Sequence, residues 1–130
     1  MIKQMSNADI IYCVNGISEI QNREKNEKNN ILGTKVKAFY TLIKNKQTMI
    51  DLLKPYQDAL KAIMEEYGVS VDEKTGNLNI EKSAISEFNA KIADLRKIVV
   101  EVPVTTMAME DIDGSNLTLT EFGYISFMIE

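Results

Sequence analysis

Ten positions between residues 36 and 67 follow one another at intervals of three and four, and eight of them are apolar: Val36, Phe39, Ile43, Ile50, Leu53, Leu60, Met64 and Tyr67. Such spacing lines side chains along one face of an α-helix. The two exceptions are Lys46 and Gln57. A continuous helix over residues 34–67 would be about 50 Å long. Pro55 lies within it. Inside a helix, proline removes a hydrogen bond and clashes with the preceding turn. The pattern therefore predicts a kink near residues 51–55, or two helices with Pro55 in the first turn of the second.

The flanking chain supplies shorter elements. Residues 2–5, apolar at both ends and polar between and too short for a helix, read as a short edge strand. Ser6 with Asp9 resembles a capping box opening a helix whose apolar stripe is Ile10, Ile11, Val14, Ile17 and Ile20. Gly16 inside that helix costs about 1 kcal/mol relative to alanine, a cost that makes sense where another helix must approach closely. Residues 22–30 contain no apolar side chain, and we assign 22–32 to a polar connector.

After the long helical pattern, Gly68 suits a C-terminal cap. The two short alternating runs around Gly76 predict a β-hairpin over 68–80. A helix over 81–97, with Ile85, Phe88, Ile92 and Leu95 on one face and Val99 continuing the spacing, should fold back antiparallel on the long helix. A valine-rich strand follows over 99–109, restricted to an edge or bulge by Pro103. An acidic turn then precedes a last helix capped by Thr118 or Thr120. The expected architecture is one domain over 1–130, α+β and mostly α. It is a long antiparallel helical hairpin with a β-hairpin tip, packed on N- and C-terminal helices and a few short strands. The long helix outruns its partner, so the terminal helices or a second copy must cover the remaining stripe; we expect a homo-oligomer.

The residue inventory limits the chemistry. Histidine and tryptophan are absent and Cys13 is the only cysteine. A histidine-based triad, a Cys–His pair and a histidine-containing zinc site are thereby excluded, as is a disulfide within one chain. Asp111-x-Asp113-Gly114 resembles the start of a calcium loop, but position six is Asn116 and position twelve is Phe122, which breaks the EF-hand pattern. Adjacent carboxylates at Glu65-Glu66, Asp72-Glu73 and Glu110-Asp111 diverge on a helix and form no acid–base pair by spacing alone. We expect no enzyme, no metal and no cofactor. No run of eighteen apolar residues exists, so no membrane span is expected; the lone thiol fits a reducing cytoplasm.

One constellation remains. Residues 23–46 carry a net charge of +5, whereas 47–130 carry −8. Within the basic region Lys37, Tyr40 and Lys44 recur at i, i+3 and i+7, with Asn45 beside them. An aromatic ring between two ammonium groups suits an anionic small molecule such as a nucleotide: phosphate on the lysines, base on the ring, Asn45 bonding an edge. A host protein is the other partner this face suits, and nucleic acid is less favoured. The plainer alternative is a solvated helix surface.

The order of motifs also carries a resemblance. Lys37-x-x-Tyr40-x-Leu42-x-Lys44-Asn45 is followed by Glu66-Tyr67-Gly68, Asp72-Glu73-x-x-Gly76 and Glu87-Phe88-Asn89. A valine-rich strand and the ending Phe127-Met128-Ile129-Glu130 complete it. Taken together, the chain resembles small proteins of unknown function encoded by phages and prophages of low-GC Gram-positive bacteria. That resemblance implies a viral origin and no known enzymatic activity, and it transfers no site residue; joined to the cytoplasmic reading of the residues, it gives the host cytoplasm as the expected location. The expectation is a non-catalytic binding protein that counters host defence, by sequestering a nucleotide signal or occupying a defence protein. A virion structural or assembly accessory, acting through its helical hairpin, is the alternative.

Overall fold

The computed structural model describes residues 1–26, 31–32 and 35–130. The elements are β1 (Ile2–Ser6), α1 (Asn7–Asn26), α2 (Val36–Leu52), α3 (Lys54–Glu66), β2 (Ser70–Val71), β3 (Leu78–Asn79), α4 (Ile85–Lys97), β4 (Val99–Pro103) and α5 (Leu119–Ile125). Short 3-10 turns lie at Lys82–Ala84, Met109–Ile112 and Ser126–Met128. The fold is α+β and mostly α. The expected helix start at Thr34 and part of the polar connector lie outside the described residues.

The body consists of α1, α2 and α5 around a small antiparallel ribbon in which Ile2 pairs with Pro103 and Ser6 with Val99. Pro103 therefore sits at the end of its strand, where a missing N–H matters least. Ser6 caps α1: its hydroxyl accepts from the Asp9 N–H at 3.1 Å, and Asp9 accepts from the Ser6 N–H at 3.4 Å. Asn7, buried at the start of α1, donates its side-chain amide to the Leu95 carbonyl at 3.0 Å and its N–H to Ile98. These bonds tie the start of α1 to the end of α4. The core is formed by Ile10, Ile17 and Ile20 of α1, Leu42 and Met49 of α2, Val102 of β4, and Ile125 and Met128 near the C-terminus. Ile31 and Leu32 are 1% and 2% exposed, so the segment assigned to a polar connector ends in two core side chains.

Gly16 is buried beneath α5. A Cβ built there would overlap Cγ of Tyr124, so the glycine is the seat of one aromatic ring, as its position in the helix predicts. Tyr12, four residues earlier, meets the same ring edge-on at 5.1 Å. Thr118 caps α5 with Glu121 as its reciprocal partner. Glu121 is also held by Arg23, whose Nε lies 2.7 Å from Oε2 and whose Nη2 donates to the Asn116 carbonyl at 2.8 Å. This latch fixes the end of α1 to the start of α5.

The second part is an arm. The long helical pattern divides at Leu53, and Pro55 falls in the first turn of α3, where its missing N–H costs least. Of the two halves of the long pattern, α3 packs along α4, whereas α2 packs on α1 and β4. Between α3 and α4 the β2–β3 hairpin forms the tip, pairing Ser70 with Asn79 and Val71 with Leu78. Gly68 closes α3 with φ 61°. Its N–H donates to Glu65 and that of Val69 to Met64, which is a Schellman cap. Among the described residues of the arm helices only Phe88 and Leu95 are buried.

The position of α2 differs from the sequence expectation. Its inner face is Ala38, Thr41, Leu42, Asn45 and Met49. Val36, Ile43 and Ile50, taken as part of the buried stripe, are 75%, 41% and 36% exposed. Adjacent positions on a helix point about 100° apart. Thr41 and Asn45 lie off the apolar stripe, yet both are buried, because each has hydrogen-bond partners inside the protein. Thr41 donates its hydroxyl to the Lys37 carbonyl at 2.8 Å, and Asn45 is satisfied across the body as described next.

Candidate functional site

Three of the four candidate residues share the outer face of α2. Tyr40 is 62% exposed, with Lys37 and Lys44 exposed on either side of it in sequence. Val36, Ile43 and Ile50 lie on the same side of the helix and are also exposed. The result is a convex apolar ridge with one aromatic ring, edged by lysines. Lys37 reaches Asp111, Nζ to Oδ2 at 3.1 Å. That carboxylate also accepts the Ala108 N–H at 2.9 Å. The backbone bond first, and Lys37 second, hold the Asp111 carboxyl below its ordinary range. Asp111 thus caps a 3-10 turn and anchors one lysine.

Asn45 is not part of that face. It is 2% exposed. Its Nδ2 donates to the Thr105 carbonyl at 2.8 Å, and the Thr105 N–H donates to its Oδ1 at 2.8 Å. Nδ2 also lies 3.4 Å from Sδ of Met128. Both ends of the amide are spent on holding α2 against the segment after β4, so the expected role of bonding a ligand edge has no free group to perform it. Lys46, counted in the basic region, folds back to Gln21 at 2.7 Å. Lys28 lies outside the described residues.

The remaining chemical candidates are structural. Cys13 is 7% exposed, and burial first, with Asp9 second, pushes its thiol up to about 11, against a smaller opposing effect of Lys3. A thiol in that state is a poor nucleophile at neutral pH. Glu66 pairs with Lys91 at 2.8 Å, and the Lys91 ammonium also lies 5.1 Å from the centre of the Tyr67 ring, a cation–π distance. Asp72 turns back on the Lys74 N–H at 2.9 Å. Among the described residues no group of three or more acidic or cysteine side chains is placed to hold a metal ion, and no helix is long and apolar enough to cross a membrane.

Sequence reasoning missed two features. The first is the Arg23–Glu121 latch, whose partners stand 98 positions apart; only the Thr118-x-x-Glu121 cap hinted at it. The second is a crevice at the root of the arm, between the α2–α3 junction and the end of α4. Pro55 marked the junction, but nothing local showed that a space would open beside it. Lys37, Tyr40 and Lys44 line neither this crevice nor the shallower one beneath the start of α5. No family model matches the chain, and no significant match is found among curated proteins or solved structures.

Proposed function

We propose that this is a non-catalytic, phage-encoded binding protein that counters host defence by occupying a defence protein, with the outer face of α2 as its contact surface. The observation that carries this reading is the ridge of Val36, Tyr40, Ile43 and Ile50, exposed together and edged by Lys37 and Lys44. Aromatic and aliphatic side chains concentrated on one convex face suit the centre of a protein interface, with charges at the rim. A nucleotide signal is less well served, because binding sites for small molecules are concave. The resemblance to small phage and prophage proteins supplies the biological setting. The lysines favour a partner with acidic groups around an apolar groove. A second copy is the competing occupant. An isologous pair built on this face would bring like charges towards one another, and such contacts are unfavourable.

The test is expression in a host carrying defence systems, scored by plating of a defence-sensitive phage. Wild-type protein should restore plaques against one system. The folded triple variant Tyr40→Ala, Ile43→Ser, Lys44→Glu should not, and it should no longer co-elute with the purified target. Full activity of that variant would refute the α2 face. Ligand-specific thermal stabilisation by a nucleotide, lost in Lys37→Ala/Lys44→Ala, would replace the protein target with a sequestered signal.

A further inference from the structure

The crevice at the root of the arm is separate from the α2 ridge and has its own chemistry. Its volume is about 340 Å³, at the lower end of the range for small-molecule sites. Leu52, Pro55 and Ala59 form one side, and Leu95, Ile98 and Val100 the other. The break between α2 and α3 turns the chain around this space, and Ala59 leaves room that a larger side chain would fill. Tyr56, half-buried, adds an aromatic surface. The polar contribution is narrow. Asn7 spends its amide N–H on the Leu95 carbonyl. Asp51 is the only charged residue among those lining the space, and its Oδ1 accepts from Gln47 Nε2 at 2.9 Å. The nearest lysine in sequence, Lys54, pairs with Asp58 at 3.4 Å. An apolar cleft with one carboxylate and no lining cation selects for an apolar body bearing a positive charge.

We propose that this crevice is a binding site for a small apolar molecule carrying one ammonium group, with the body between α3 and α4 and the ammonium on Asp51. The arm meets the body here, so an occupant touches α3, α4 and β4 at once.

The test is an amide-resolved NMR titration of the whole chain with 1-naphthylmethylamine, its neutral analogue 1-naphthylmethanol and the anion 1-naphthoate. The amine should shift resonances of residues 51–59 and 95–100 and bind about threefold to tenfold tighter than the alcohol, as a partly exposed ion pair warrants. Naphthoate should be the weakest. Asp51→Asn, at an exposed position, should reduce the amine to the level of the alcohol. Ala59→Trp should abolish binding of both; should that variant fail to fold, Asp51→Asn alone decides. The Tyr40/Ile43/Lys44 variant should bind the amine unchanged, which separates this site from the α2 face. Absence of localised shifts, equal binding of naphthoate, or an unchanged preference in Asp51→Asn would each overturn the proposal.

Discussion

One apolar spacing runs through α2 and α3, and its two halves meet opposite fates. In α3 and its C-cap, Leu60, Met64 and Tyr67 are half-buried where the helix lies against α4, and Tyr67 meets Phe88 edge-on at 5.9 Å. In α2, Val36, Ile43 and Ile50 continue the same spacing but are exposed, and of that stretch only Phe39, half-buried, packs against the core. Periodicity therefore identifies a helix without fixing its rotation. A slender arm has one neighbour to pack against, so its apolar side is its buried side. A helix in the body has several neighbours, and specific polar bonds can outweigh a small gain in apolar area. For α2 those bonds are the two between Asn45 and Thr105.

The sharpest way to break this comparison uses adjacent residues. Leu42 is fully buried and Ile43 is 41% exposed. Leu42→Ala should cost about 2–5 kcal/mol, whereas Ile43→Ala should stay within about 0.5 kcal/mol. Urea unfolding of both variants measures the difference. Equal costs would mean that α2 sits in the rotation its apolar pattern first suggested.

Asn45→Ala asks what sets that rotation. It leaves the Thr105 N–H and carbonyl without their partner, at about 1–3 kcal/mol for each group that water cannot reach. If the amide only fills space, Asn45→Leu should match wild type; if it positions α2, Asn45→Leu should be destabilised too, and Tyr40 should change its exposure to a surface label.

Gly16→Ala tests the body's tightest contact, where the added methyl would meet Tyr124. Overpacking of this kind costs about 1–3 kcal/mol. Tyr124→Ala in the same chain should make the two changes non-additive, since the ring that clashes is gone. Additive costs would show that α5 does not rest on Gly16. The arm has no equivalent among its described glycines: Gly68 and Gly76 have open space around them.

What could be read from the residues follows the range of the interaction. Local signals held: Ser6 with Asp9, the hairpin at Gly76, the cap at Gly68 and the break at Pro55 each act over a few positions, and Gly16 marked a close approach without naming its distant partner, Tyr124. Thr118 rather than Thr120 caps α5, a choice settled by Glu121 three residues on. The signals that failed depend on distant partners. Asn45 looked like a surface ligand because its partner is 60 positions away. Ile31 and Leu32 looked like the end of a connector, although Ile31 accepts the Asn116 N–H and Leu32 donates to Glu24. Of the candidate site, the shared face of Lys37, Tyr40 and Lys44 was legible from spacing; its convex shape and the company of Ile43 were not.

The smallest expected effect compares an ion pair in the body with one in the arm. Glu121 is held below its ordinary range, first by Arg23 and then by the backbone N–H of Thr118, against the opposing effect of burial. A carboxylate whose folded pKa is depressed contributes its stability in full above the unfolded pKa and loses it as pH falls through the folded one. Wild type should therefore lose melting temperature below about pH 4.5, where model carboxylates titrate. Glu121→Gln should start lower at pH 7 and lose less on acidification, so the gap between the two proteins narrows towards pH 3. The arm pair Glu66–Lys91 has both side chains 40% or more exposed, and such pairs contribute about 0–1 kcal/mol. Glu66→Gln should accordingly run nearly parallel to wild type at every pH. Melting curves of the three proteins from pH 7 to pH 3 decide the matter. A constant Glu121→Gln gap would reduce the latch to packing, and a larger Glu66→Gln effect would make the arm, not the body, the acid-sensitive part.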